Sequence, residues 1–177
     1  MDYKLWGRSL GGAALSALIG WLAVGRGGEV PLLDQFDLGI HELGHMLVRF
    51  GPELWHFLAG SIAQVAVPVG LAAYFWLSQR NWAASGFVLA WAGTSAYDVS
   101  VYVADAPYQR LPLIGGGQHD WAYILGPRGF DSIDAASGVA ATIKGVGAIM
   151  VMAGVLLCLY PLLDVVAPKG GRVLVRR

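Results

Sequence analysis

Long stretches of this chain run almost without charge. A helix that crosses a bilayer takes ~20 predominantly apolar residues, within a range of ~17–25. Four stretches meet that need: 9–25, 54–77, 81–104 and 138–163. The first follows Lys4 and Arg8, and no Ala-x-Ala-like site stands after it, so a retained helix is expected rather than a cleaved leader. A polar loop bearing Gly and Pro, 105–137, separates the last two. There is no internal repeat and no low-complexity tract. The pattern predicts an all-α fold, a polytopic transmembrane helical bundle forming a single domain over 1–177.

Residues 32–50 break the pattern. On a helix at 100° per residue, Asp34, Asp37, His41, Glu42, His45 and Arg49 fall within an arc of about 140°. Leu33, Phe36, Ile40, Leu43, Met46 and Leu47 occupy the rest. Such a stripe cannot face lipid tails, where each charge costs at least ~2.5 kcal/mol. It must face protein, a wet cavity or the interface.

Charge adds orientation. Lys4 and Arg8 mark the N-terminus as cytoplasmic, and Lys169, Arg172, Arg176 and Arg177 mark the C-terminus likewise. Two cytoplasmic ends need an even number of crossings. The expected arrangement is therefore four spans plus one amphipathic, re-entrant helix over 32–50, with Arg80 in an inside loop. Loop 105–137 then emerges on the same side as that helix.

Composition supports the membrane reading. Hydrophobic residues make up 56% of the chain and charged residues 14%, against ~25% charged in an average soluble domain. The mean hydropathy is +0.55. The formal net charge is zero, which gives no reason to expect nucleic acid as a partner. One cysteine, Cys158, excludes an internal disulfide and a cysteine-based zinc site. Seven Trp and seven Tyr suit the two membrane interfaces.

The stripe contains "HELGH" (41–45), a His-Glu-x-x-His pattern. On a helix His41 and His45 stand one turn apart and can bind one divalent metal, usually Zn2+. Glu42, beside them, is suited to move a proton as general base. The competing reading is a set of polar side chains that tie helices together. Haem suits the histidines less well, because two residues four apart on one face cannot take opposite axial positions.

A catalytic zinc usually has three protein ligands. Candidates for the third are His119, Asp120, Asp98, Asp105 and His56. "GGGQHDW" (115–121) makes His119 the favoured ligand, because its glycines allow tight turns beside a site. Asp98, Tyr102 and Asp105 share one face of the 81–104 span, and its two carboxylates are candidates for the third ligand or for a supporting place behind the ligands, since a lone carboxylate within a span is a functional candidate. Asp120 is a further ligand candidate, an orienting group for an imidazole, or the N-cap of a helix over "WAYIL". On the span 54–77, His56, Gly60 and Gln64 share a face. His56 is expected at the interface, and Gln64 is either a substrate contact or a tie between helices.

At "HELGH" in an apolar segment, the chain resembles intramembrane zinc metalloproteases of the site-2 protease class, peptidase family M50. "HELGHMLVRFGPELWHFLAGSIAQVAVPV" followed by "YVADAPYQRLPLIGGGQHDWAYILG" is similar to small bacterial membrane proteins with an M50-like signature, over roughly residues 30–130. That resemblance implies zinc at His41 and His45, Glu42 as base, and a bacterial inner membrane. The chain departs from the class at the Leu-Asp-Gly motif that supplies its third ligand. The nearest string here is "PLLDVV", where Val165 follows Asp164, and the ligand is not carried over.

The expected function is a membrane-embedded zinc-dependent hydrolase, most simply a metallopeptidase cleaving a peptide in or near the membrane. The alternative is a non-catalytic membrane subunit, an assembly partner in a larger complex that retains the metal-site scaffold.

Overall fold

The computed structural model describes residues 3–113 and 117–166, with side chains as far as Leu163. The basic residues Lys169, Arg172, Arg176 and Arg177 and the side chain of Asp164 lie outside the described residues. Six α-helices follow in order among the described residues: α1 (Tyr3–Gly25), α2 (Leu33–Leu47), α3 (Glu53–Leu77), α4 (Trp82–Asp105), α5 (Asp120–Leu125) and α6 (Ala136–Val166). A 3-10 turn, Ile133–Ala135, leads into α6.

Among the described residues three helices are long and apolar enough to cross a membrane: α1, α3 and the 133–163 stretch, which takes in most of α6. The fourth expected span, 81–104, forms α4 but is not among them. Its position in the bundle explains its composition. α4 packs against α6, α3 and α1 together, so its surface meets protein. Ser85, Thr94, Ser95 and Ser100 are all buried on it. Their hydroxyls find partners within α4 and across to α3: Thr94 donates to the Trp91 carbonyl at 2.8 Å and Ser85 to the Ala72 carbonyl of α3 at 2.8 Å. A sheathed helix carries polar atoms that a lipid-facing helix cannot, provided each finds a partner.

Glycines set how closely α4 and α6 approach. A Cβ on Gly86 would strike the Gly154 carbonyl oxygen and lie 2.8 Å from the Cys158 backbone nitrogen. Backbone atoms cannot swing aside, so the helices would have to part. Gly86→Val is expected to lower the detergent-state melting temperature, consistent with the ~1–3 kcal/mol typical of overpacking. Gly145→Ala on α6, where an added Cβ meets nothing within 4 Å, serves as the control. Equal melting temperatures for the two variants would refute the close-packed seam.

α2 is only 15 residues long, or about 22 Å at 1.5 Å per residue. That falls short of a ~30 Å hydrocarbon core. It lies along α3 and touches α4. Gly44 permits the first contact, because a Cβ there would strike the Ala59 carbonyl oxygen of α3. Asp37 secures the second. Its buried Oδ1 accepts from Trp91 Nε1 at 2.9 Å and from Ser95 Oγ at 2.8 Å, both on α4. Part of the polar stripe read from the sequence is therefore structural.

Candidate metal centre

His41 and His45 project from successive turns of α2, their ring centroids 4.7 Å apart. Each ring is held through Nδ1. His45 Nδ1 lies 2.7 Å from the His56 carbonyl oxygen, which can only accept. His41 Nδ1 lies 3.0 Å from Gln64 Oε1. Hydrogens placed on both Nδ1 atoms leave lone pairs on both Nε2 atoms. These two nitrogens meet Asp120 Oδ2, at 3.0 Å from His41 and 3.2 Å from His45.

With both rings neutral, three electron-rich atoms thus converge, an arrangement that a cation stabilises. His41, His45 and Asp120 form a group that can hold a metal ion. α3 leaves room for one. A Cβ on Gly60 would lie 2.5 Å from His41 Nε2 and 2.5 Å from His45 Nε2. Only a residue without a side chain keeps that space clear. His56, Gly60 and Gln64, one face of α3, therefore contribute a carbonyl, a void and an amide to the same centre.

Asp120 opens the short helix α5. Its backbone N–H donates to the Tyr102 hydroxyl at 3.0 Å, and Trp121 Nε1 on the same helix donates to Ser61 Oγ of α3 at 3.0 Å. These bonds fix the carboxylate against α2.

The third position therefore differs from the one favoured by the sequence. His119 is turned away from the two histidines. Its Nδ1 accepts from the Ala122 backbone N–H at 3.2 Å, so His119, and not Asp120, caps α5. Its ring stacks on Tyr102 with centroids 4.2 Å apart. Burial pushes its pKa down, which favours a neutral ring. Its Nε2 sits 3.4 Å from Asp105 Oδ2, outside hydrogen-bonding geometry. At a helix start, cap and first residue point in different directions, so adjacent His119 and Asp120 cannot both face α2.

Asp105 is also occupied elsewhere: its Oδ2 accepts from the Arg110 and Leu111 backbone N–H groups at 2.9 and 3.0 Å, closing the turn after α4. Asp98 reaches Gln64, not the histidines; Gln64 Nε2 donates to Asp98 Oδ2 at 2.8 Å. Gln64 is 4% exposed and lines the cleft, with its amide bonded once at each end, to His41 and to Asp98. His56 supplies its carbonyl, and its ring lies 5.1 Å from that of His45.

The centre opens into a cleft of about 710 Å³. Glu42 is exposed on its wall, with Leu38, Met46 and Phe57. Sequence reasoning missed Gly60 and Tyr102 as site residues. Gly60 carried one signal, its place between His56 and Gln64 on a single helix face. No protein-family model matches the chain, and no curated protein or solved structure is found to be similar to it.

Proposed function

We propose that this chain is an integral membrane hydrolase that holds zinc at His41, His45 and Asp120 and cleaves a peptide bond in or beside the bilayer. The observation that carries the reading is the convergence of three oriented donor atoms on a space kept open by Gly60, with Glu42 on the cleft beside it. Two imidazoles and one carboxylate are a donor set that catalytic zinc uses, leaving a coordination position free. When bound, such an ion supplies Lewis acidity that polarises a carbonyl and lowers the pKa of water. Glu42 accepts a proton from the attacking water as the new C–O bond forms. It returns that proton to the amine nitrogen as the C–N bond breaks. The backbone carbonyl of His56 and the Gln64 amide keep the two imidazoles aimed. Leu38, Met46 and Phe57 give the substrate an apolar wall.

In the proposed topology α1, α3 and α6 cross the bilayer and enclose α4, which crosses as their centre. α2 remains on the outer side. The basic N-terminal residues Lys4 and Arg8, and Arg80 between α3 and α4, then lie in the cytoplasm of a bacterial inner membrane. Both termini are cytoplasmic in this arrangement. Its support is that α5, from the loop after α4, meets α2 at the metal centre, so both lie at the same end of the bundle. His56 and Gln64 stand three and eleven residues into α3, or about 5 and 17 Å from its start at 1.5 Å per residue. The centre then sits within the outer half of the bilayer.

The deciding experiment is metal analysis of the detergent-purified protein. About one zinc per chain is expected in the wild type, as the one donor set among the described residues implies. His41→Ala and Asp120→Ala should lose it, and His119→Ala should keep it. Wild type without metal, or with iron in place of zinc, would overturn the reading.

A further inference from the structure

Asp98 stands one residue removed from the metal centre, yet it decides how that centre is wired. A glutamine amide can turn either end toward a histidine. Only one orientation suits Gln64. Asp98, as a carboxylate, has acceptor atoms alone. Its Oδ2 lies 2.8 Å from Gln64 Nε2, so the NH2 end must point there. The Oε1 end then faces His41 Nδ1 at 3.0 Å and demands a hydrogen on that nitrogen. In the neutral ring that a metal ligand requires, the lone pair of His41 is thereby committed to Nε2, the atom beside Asp120.

We infer that Asp98 and Gln64 act as a positioning pair that fixes the tautomer of His41 and so sets the affinity of the centre for its metal. This inference rests on the metal-centre reading. Asp98 touches no ligand and acts only through the amide, which distinguishes it from the ligand candidates considered from the sequence. Two further features fit the role. Gln64 is buried, so water does not compete for either end of its amide. The turn between α1 and α2 covers Asp98: a Cβ on Gly28 would come within 3.0 Å of Asp98 Cα and 3.4 Å of its Oδ1. Gly28 also has φ +106°, a conformation that favours glycine. Both constraints hold that turn against Asp98, which itself lines the cleft.

The test reverses the pair. In Asp98→Asn the position offers a donor as well as an acceptor, so the Gln64 amide is free to flip and put its NH2 toward His41. That flip forces a hydrogen onto Nε2. Zinc affinity, read by competition with a chelator on the full chain in detergent, is expected to fall ~10–100-fold, as for lost orienting groups at other metal sites. The nitrogen-15 shifts of the His41 ring in chelator-treated protein are expected to move toward the Nε2–H tautomer. The double variant Gln64→Glu/Asp98→Asn restores the polarity with acid and amide exchanged. The new carboxylate accepts from His41 Nδ1 and from the new amide, and the total charge equals that of the wild type. It is expected to recover both the tautomer and most of the affinity. Wild-type tautomer and affinity in Asp98→Asn would overturn the inference, as would a double variant no better than the single one. Failure of the wild type to bind zinc would instead overturn the metal-centre reading. The tautomer, measured without metal, still decides whether Asp98 directs His41.

Discussion

Hydrolysis is expected to fall by about 10²–10⁴-fold in a Glu42→Gln variant, the range a positioned general base contributes. The metal content should stay at the wild-type level. The two effects separate because Glu42 lies on the cleft wall and is not one of the converging donors, which are His41, His45 and Asp120. Glutamine keeps the shape of the side chain and loses the ability to accept a proton from water. The measurement is cleavage of a panel of membrane-spanning and membrane-proximal model peptides in detergent, with products identified by mass spectrometry in ¹⁸O water. One ¹⁸O atom in each new carboxyl group is the signature of direct attack by water. Equal cleavage by wild type and variant would remove Glu42 from the mechanism. A metal-loaded wild type that cleaves none of the panel would favour the non-catalytic subunit over the hydrolase.

Gly60→Ala is expected to empty the centre while leaving the bundle folded. The added methyl would lie 2.5 Å from the Nε2 atoms of both His41 and His45. These are ends of side chains, not backbone, so the clash is relieved by swinging the two rings away. Doing so takes their lone pairs away from Asp120. The loss of metal affinity should exceed the ~10–100-fold typical of removing a mere orienting group, because two ligands are displaced together. Helical content and melting temperature of the metal-free protein should match those of metal-free wild type. Alanine also has a higher helix propensity than glycine, by ~1 kcal/mol, so a fall in stability is not expected from the helix itself. A Gly60→Ala protein that binds zinc as the wild type does would show that the space before Gly60 is not where the ion sits. Gly86 provides the contrast. Both glycines make room, one for a ligand and the other for a helix.

The helices were largely legible because local periodicity dictates them. Apolar runs of sufficient length predict α1, α3 and α6, and the polar stripe from Asp34 to Arg49 predicts α2. The pairing of His41 with His45 follows from helical geometry alone, as does the shared face of His56, Gly60 and Gln64. The expected fourth span shows where local reading ends. α4 is a helix, as its pattern predicts, but its Ser and Thr residues reflect a neighbour-covered surface. A sequence shows how polar a helix is. It does not show what covers it.

The third member of the centre illustrates the same limit. His119 and Asp120 are neighbours in the chain, and either residue type ligates zinc. Which one faces α2 depends on the direction in which the chain enters α5. That direction is set by Tyr102 of α4, which receives the Asp120 N–H, and by Ser61 of α3, which receives Trp121 Nε1. Both partners are distant in sequence. Gln64 shows the same dependence: alone on its helix it reads as either a substrate contact or a tie between helices, and the structure sets Asp98 and His41 on either side of it as the groups it links. The sequence by itself determined the helices, the His-Glu-x-x-His pair and the amphipathic stripe, because these depend on residues within a few turns of one another. Only the tertiary structure brought Asp120 to His41 and His45, set Gly60 against their Nε2 atoms and joined His41 to Asp98 through Gln64, because each depends on a contact between separate helices.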